Sequence, residues 1–109
     1  HCDTIPALQW KEKQEHLADA DLQINLDKLE KGGSLCQCFS LFTFLKGLKD
    51  ETPFEHVRKL ADLWKSEVER YPDRICQIKT YADLMQVQKD GHHHFGKAIG
   101  GQSAVSQND

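Results

Sequence analysis

Four cysteines, Cys2, Cys36, Cys38 and Cys76, constrain this 109-residue chain more than any other feature. The sequence begins with His1 and not with methionine, which is typical of a chain from which a signal peptide has been removed. In a short secreted chain, an even number of cysteines predicts a disulfide framework. We therefore expect a secreted protein with two disulfides. The alternative is an intracellular chain with thiols or a zinc site, but a single C-x-C pair without C-x-x-C is weak evidence for zinc.

The spacing of the cysteines leaves two pairings open. Cys36 and Cys38 are two positions apart and point to different sides of the backbone, so they are badly placed to bond each other. Either Cys2 joins Cys36 and Cys38 joins Cys76, or Cys2 joins Cys38 and Cys36 joins Cys76. Both pairings connect the N-terminal segment and a late helix to one central element, and each bridge is expected to contribute roughly 2 to 4 kcal/mol.

Size and charge exclude several kinds of partner. A chain of 109 residues forms one domain with a modest core. The net charge of -3 lacks the basic excess that binding to nucleic acid or to anionic lipid requires. The most apolar stretch, from Leu35 to Leu48, is interrupted by polar residues and is too short to span a bilayer. We predict no nucleic acid and no membrane as partner.

The clearest helix signal is the sequence Thr52-Pro53-Phe54-Glu55. Thr52 and Glu55 have the spacing of a capping box, and Pro53 fits the first helical position. An apolar stripe with spacings of three and four follows, and Pro72 ends the predicted helix. The stripe consists of Val57, Leu60, Ala61, Trp64, Val68 and Tyr71.

The segment from Ser34 to Lys49 is apolar on nearly every side, which predicts a central helix covered by the rest of the chain. Gly32 and Gly33 end the preceding helix, and Ser34 is a suitable N-cap. The two central cysteines then lie in the first turn, where they can serve both disulfides. A buried β-strand is the competing prediction, but about fifteen residues is long for a strand.

Helices are also predicted at both ends of the chain. The N-terminal third predicts one long or two shorter helices, with Asp19 or Asp21 capping a break between them. A last helix is predicted from about Asp73 to Lys89. The predicted fold is therefore all-α, a compact bundle of about four to five helices over residues 1–91, cross-linked by two disulfides. Residues 92–109 are rich in Gly, Ser, Gln and His and are predicted to form a loosely packed or mobile tail.

Two segments contain candidate metal ligands. From Asp19 to Glu30, acidic residues occupy the first, third, ninth and twelfth positions of a calcium loop, but Ile24 stands where the loop needs glycine. An amphipathic helix is the better prediction there. His92, His93 and His94 could bind a transition metal. Three consecutive histidines cannot all reach one ion from an ordered backbone without help, so we expect a solvated loop.

No residue pattern points to catalysis. Oxidised cysteines cannot act as nucleophiles, and no serine lies in a strained strand-turn-helix elbow. Glycine loops of the kind that cradles phosphate are absent, and His16 and His56 are predicted to be surface histidines beside acidic residues. We therefore predict a non-enzymatic protein, without a catalytic residue or a cofactor, that works by surface contact.

Three classes of binding protein fit that prediction: an inhibitor of secreted proteins, a cytokine-like ligand and a carrier of a small apolar molecule. The predicted connections at residues 31–34, 50–52 and 72–73 are too short for a cytokine topology. Aromatic residues at helical spacing are more typical of a core than of a ligand cavity. We expect the binding face to include large exposed residues outside the stripes, such as Trp10 or Phe54, because interfaces concentrate binding energy in a few aromatic and Arg side chains.

The chain resembles a known family in its cysteine placement, His1-Cys2-Asp3, Cys36-Gln37-Cys38 and Cys76, and in its plan of about four predicted helices. The family is that of the small anopheline mosquito salivary proteins that include anophensin and albicin, and the resemblance covers the chain up to the tail. It implies secretion into a host during blood feeding and inhibition of a host plasma cascade.

The resemblance implies two alternative targets. Albicin-like members act on the alternative pathway of complement by binding its C3 convertase, which implies C3b and factor B as partners. Anophensin-like members act on contact activation, in which factor XII and kininogen lead to bradykinin. Of the two we predict complement. The run from His92 to His94 keeps the contact system open, because an inhibitor of that system could expose a zinc-responsive face.

Overall fold

The chain combines helices with a small β-sheet. A computed structural model describes residues 1–34, 36–44, 46, 48, 50–89 and 99–106. In this part of the chain the helices are α1 (Thr4–Gln9), α2 (Leu26–Lys31), α3 (Pro53–Arg70) and α4 (Tyr81–Lys89), and the strands are β1 (Cys38–Phe44) and β2 (Ile99–Ser106). No disulfide joins any of the four cysteines, all of which lie in the described residues. The predicted all-α bundle with two disulfides is therefore wrong.

Strand β1 takes the place of the predicted central helix. Phe39, Leu41 and Thr43 are buried, whereas Cys38 is exposed and Ser40 is half-buried. This period of two is the pattern of a strand that packs one face on the core. The prediction of a helix relied on the length of the apolar run, but the strand comprises only seven residues of that run.

Strand β1 lies between the N-terminal segment and β2. It pairs in parallel with β2, with Cys38 opposite Ile99 at the start of the register. Cys2 forms a parallel bridge with Phe39 along the other edge of β1. The N–H of Cys2 donates to the carbonyl of Cys38, and the N–H of Ser40 donates to the carbonyl of Cys2, both at 2.9 Å. Backbone hydrogen bonds therefore hold the N-terminal segment against the central element, where a disulfide was predicted.

Helix α3 has the predicted cap and the predicted buried face. The N–H of Glu55 donates to the hydroxyl of Thr52 at 3.1 Å, and the N–H of Thr52 donates to the Glu55 carboxylate at 2.9 Å, which confirms the capping box. The helix ends just before Pro72, as predicted. Leu60 and Trp64 of the apolar stripe are buried. Because its signals lie within four residues of one another along the chain, this helix could be predicted from sequence.

Helix α2 is shorter than the predicted N-terminal helices. It begins after Asn25, whose side chain accepts a hydrogen bond from the N–H of Lys28 at 2.8 Å. The predicted caps at Asp19 or Asp21 are therefore wrong. The predicted end of the helix at the glycine pair is confirmed, because Gly33 has a φ of 70°, a left-handed conformation that glycine adopts readily.

Helix α4 begins at Tyr81 and not near Asp73. Thr80 and Asp83 cap it reciprocally: the N–H of Asp83 donates to the Thr80 hydroxyl at 3.1 Å, and the N–H of Thr80 donates to the Asp83 carboxylate at 3.2 Å. Cys76 therefore lies before the helix and not in its first turn.

The core lies where α3 packs against β1, α1 and the segment between α1 and α2. The rings of Phe39 and Trp64 stand at its centre, with 4.8 Å between ring centroids and an angle of 38° between ring planes. The buried apolar cluster consists of Ile5, Leu17, Leu26, Leu29, Phe39, Leu41, Leu60, Trp64 and Ile75. Within the described ranges, no helix combines the length and the apolar character that crossing a membrane requires.

The predicted C-terminal tail overlaps the second strand. Residues 99–106 of that segment form β2 alongside β1. The rest of the predicted tail, residues 92–98 and 107–109, lies outside the described residues.

Candidate binding surface

A pocket of about 510 Å³ lies where the end of α1 meets the start of α3. Trp10 and Leu48 supply its apolar wall, and polar side chains supply the rest. The lining residues are Gln9, Trp10, Thr43, Leu48, Glu51, His56 and Lys59. We call this the Trp10 pocket.

Trp10 stands at the rim because α1 ends there. It is the C-cap of the helix, and its N–H donates to the carbonyls of Pro6 and Ala7 at 3.3 and 3.2 Å. The side chain is 62% exposed. Tryptophan is usually well buried in a folded domain, so an indole left in water beside a pocket marks a candidate contact residue.

A hydrogen bond between α1 and α3 connects two of the residues that line the Trp10 pocket. Nε2 of His56 and Oε1 of Gln9 form a hydrogen bond of 2.9 Å. Gln9 directly precedes Trp10, so the same contact holds the backbone that carries the indole. A side chain held in place before a partner arrives loses less conformational entropy on binding. His56, predicted to be a surface histidine, is half-buried in this contact.

A pair of opposite charges forms the polar side of the Trp10 pocket. The Nζ of Lys59 donates to Oε2 of Glu51, and the two side chains are 63% and 27% exposed. This hydrogen bond, the negative charge of Glu51 and, more weakly, that of Glu55 raise the pKa of Lys59. Because water reaches both partners, the pair contributes little to folding. Both charges are instead available to a ligand.

Phe54 and Tyr81 are the other large exposed apolar side chains of the described residues, at 72% and 75%. Phe54 precedes His56 by two positions on α3, which separates them by about 200° around the helix axis. Both predicted contact residues, Trp10 and Phe54, are therefore on the surface, but Phe54 does not line the Trp10 pocket.

The geometry of β1 explains why Cys2 and Cys38 do not bond. Cys2 lies opposite Phe39 in the parallel bridge, so it shares a face with Phe39, whereas Cys38 points to the other face. Burial raises the pKa of the Cys2 thiol. Burial also raises the pKa of the Cys36 thiol, and the nearby thiols of Cys38 and Cys76 raise it further when they are ionised. Cys2 and Cys36 are therefore protonated and weakly nucleophilic near neutral pH.

The acidic segment that resembles a calcium loop does not form one. Asp27 and Glu30 contact Arg74: their carboxylates accept hydrogen bonds from Nη2 at 2.8 Å and from Nε at 2.7 Å. The predicted helix over this segment is confirmed only from Leu26 onward. In the described part of the chain, no three His, Cys, Asp or Glu side chains are arranged to hold a metal ion. The other candidate metal ligands, His92, His93 and His94, lie outside the described residues.

Glu67 is the polar residue that sequence reasoning missed. Its side chain is 2% exposed, and its Oε1 accepts a hydrogen bond from the N–H of Leu17. Its Oε2 lies 3.1 Å from Nδ1 of His16 and 3.5 Å from Nε of Arg70. His16 is therefore the partner of a buried carboxylate and not the simple surface histidine predicted. A signal was present, because Glu67 follows Trp64 by three positions and so falls on the buried face of α3.

No protein-family profile matches this chain, and no curated protein matches it.

Proposed function

We propose that this chain is a secreted, non-enzymatic inhibitor that binds a host plasma protein complex, and that its target is the C3 convertase of the alternative pathway of complement. The observation that carries the binding role is the exposure of Trp10 at the rim of a pocket between two connected helices. The choice of target follows from the resemblance in cysteine placement described above.

The surroundings of Trp10 support a contact role. Binding hot spots are enriched in Trp, Tyr and Arg and lie within a polar rim. Trp10 is such an exposed aromatic side chain, and Glu51 and Lys59 supply charged groups that line the same pocket. The bond between Gln9 and His56 stabilises the backbone on which the indole is carried. This role does not depend on disulfides, because the core and the backbone bridge at Cys2 already order the N-terminal segment.

The test is lysis of rabbit erythrocytes in human serum with magnesium and EGTA, which isolates the alternative pathway. The wild-type chain is expected to protect the cells in a dose-dependent manner. Trp10→Ala should raise the half-inhibitory concentration about 30-fold, as expected for a hot spot of about 2 kcal/mol. Tyr81→Ala is the matched control, because it removes an equally exposed aromatic side chain from α4.

The protection given by the wild-type chain and by the two variants tests both the target and the role of Trp10. Protection by wild type and by Tyr81→Ala, with loss in Trp10→Ala, supports the proposal, and pull-downs with C3b and factor B then identify the component bound. Equal protection by Trp10→Ala removes Trp10 from the contact face and leaves Phe54→Ala as the next variant. Absence of protection by the wild-type chain rejects the complement target. Kallikrein generation in plasma then tests factor XII and kininogen, and failure in both assays rejects cascade inhibition.

A further inference from the structure

The Trp10 pocket combines an aromatic face with a carboxylate. The indole of Trp10 is 62% exposed, and Glu51 and the aliphatic side chain of Leu48 line the same space. Tryptophan attracts a cation over its ring face more strongly than the other aromatic residues. A carboxylate accepts short, charge-assisted hydrogen bonds from an ammonium group. We propose that this pocket binds an organic ammonium ion, with its charged group between Trp10 and Glu51 and its apolar part against Leu48.

Lys59 already makes the ammonium–carboxylate contact of this proposal. Its Nζ, itself an ammonium group, donates to Oε2 of Glu51. The Lys59 side chain is 63% exposed, so it can move aside at little cost. Glu55 lies four positions earlier on α3, and its charge also favours the protonated form of Lys59. A ligand that takes Glu51 therefore leaves Lys59 with a second carboxylate at a favourable helical spacing.

The size and the charge of the pocket narrow the ligand class. A volume of about 510 Å³ lies within the range of about 300 to 1,000 Å³ that small-molecule sites occupy. An anion could pair with Lys59, but it would take that ammonium group from Glu51 and lie beside the carboxylate, which is the less exposed of the two charges, so an anion is disfavoured. A neutral molecule would leave the Glu51 carboxylate to Lys59 and gain only the apolar contacts. The occupant is thus a monovalent cation with an apolar group, either a free amine or the lysine side chain of a partner protein.

Binding is measured on the full-length ¹⁵N-labelled chain by NMR. The two indole N–H signals report Trp10, which lines the pocket, and Trp64, which is buried in the core and serves as an internal reference. Benzylamine is the probe, and benzyl alcohol is the neutral control of the same shape. We expect a saturable shift of the Trp10 signal alone, with an affinity for benzylamine at least tenfold above that for benzyl alcohol.

Two variants distinguish specific binding of the ammonium group from non-specific binding of an apolar molecule. Glu51→Gln should lower the affinity for benzylamine at least fivefold and leave that for benzyl alcohol unchanged. Lys59→Met should raise the affinity for benzylamine severalfold, because it removes the ammonium group that competes for Glu51. Equal affinities for the two probes, or weaker benzylamine binding by Lys59→Met, would overturn the proposal. Since no plasma protein takes part, the result is independent of cascade inhibition.

A third probe identifies the source of the ammonium group. Nα-acetyl-lysine amide presents the side chain that a partner protein would insert, and Nα-acetyl-norleucine amide is its uncharged control. Tighter binding of the lysine derivative than of benzylamine supports a partner's lysine as the ligand. The reverse order supports a free small amine. Failure of both amines to exceed their neutral controls overturns the site.

Discussion

The buried carboxylate of Glu67 should hold the segment between α1 and α2 on the core. Glu67→Ala removes the acceptor of the Leu17 N–H and the partner of His16 and Arg70. Leu17 is fully buried, so its N–H has no access to water when the carboxylate is lost. Glu67→Gln keeps a carbonyl oxygen that can accept from Leu17 but removes the charge.

The size of the effect follows from these contacts. A hydrogen bond to a charged group contributes about 1.5 to 3 kcal/mol, and a buried N–H left without a partner costs a similar amount. His16 and Arg70 are 30% and 48% exposed, so water replaces their contacts and their loss adds little. Removing a buried charge also relieves its desolvation cost. We therefore expect Glu67→Ala to lower the free energy of unfolding by about 2 kcal/mol and Glu67→Gln by about 1 kcal/mol.

Urea denaturation followed by circular dichroism measures the global effect, and amide hydrogen exchange at Leu17 measures the local one. A loss of about 2 kcal/mol corresponds to roughly 30-fold faster exchange. Glu69→Ala is the control, because it removes an exposed carboxylate from the same helix. The reasoning is refuted if Glu67→Ala and Glu69→Ala unfold at the same urea concentration, or if exchange at Leu17 does not change.

Two further predictions concern the core and the thiols. Phe39→Ala should lower the free energy of unfolding by about 3 to 5 kcal/mol, because the fully buried ring of Phe39 packs on Trp64. Phe54 is exposed, so Phe54→Ala should lower the free energy of unfolding by less than about 0.5 kcal/mol. Equal urea midpoints for the two variants would contradict the assigned core. Cys36 should react with iodoacetamide at pH 8 more slowly than in the urea-unfolded chain, because a raised pKa leaves less thiolate in the folded state, and the difference should shrink at more alkaline pH. Peptide mass mapping measures the rate of Cys36 alkylation and, without reduction, shows whether Cys36 is a thiol. A disulfide at Cys36, or equal alkylation rates in the folded and unfolded chain at pH 8, would contradict the structure.

The parts of the fold that sequence could predict are those whose signals are local. The capping box between Thr52 and Glu55 lies within one helical turn, and the structure has both of its hydrogen bonds. The glycine pair that ends α2 is equally local, because Gly33 supplies a left-handed φ wherever the helix began. Such signals keep their meaning whatever packs against them.

Strand β1 could not be predicted in the same way, because its state depends on distant partners. Its edges are paired with Cys2 and with β2, which begins at Ile99, far away along the chain. An apolar run of this composition fits a buried helix or a buried strand, and periodicity alone does not distinguish them. The alternation of Phe39 and Leu41 with the polar Ser40 is a local signal for the strand, and the structure buries both apolar side chains.

The Trp10 pocket was hidden from sequence reasoning for a related reason. Leu17 lies in the part of the chain for which N-terminal helices were predicted, but it is buried from a segment without regular structure. Its carbonyl accepts a hydrogen bond at 2.9 Å from the N–H of Leu26, the first residue of α2. Polar contacts from Glu67 and Asn25 hold that segment in place of helical hydrogen bonds. Helix α1 ends at Gln9 before that segment, and Trp10 lies exposed at its end. The contact between Glu67 and Leu17 holds the segment that follows Trp10, so we expect Glu67→Ala also to weaken any binding that depends on Trp10.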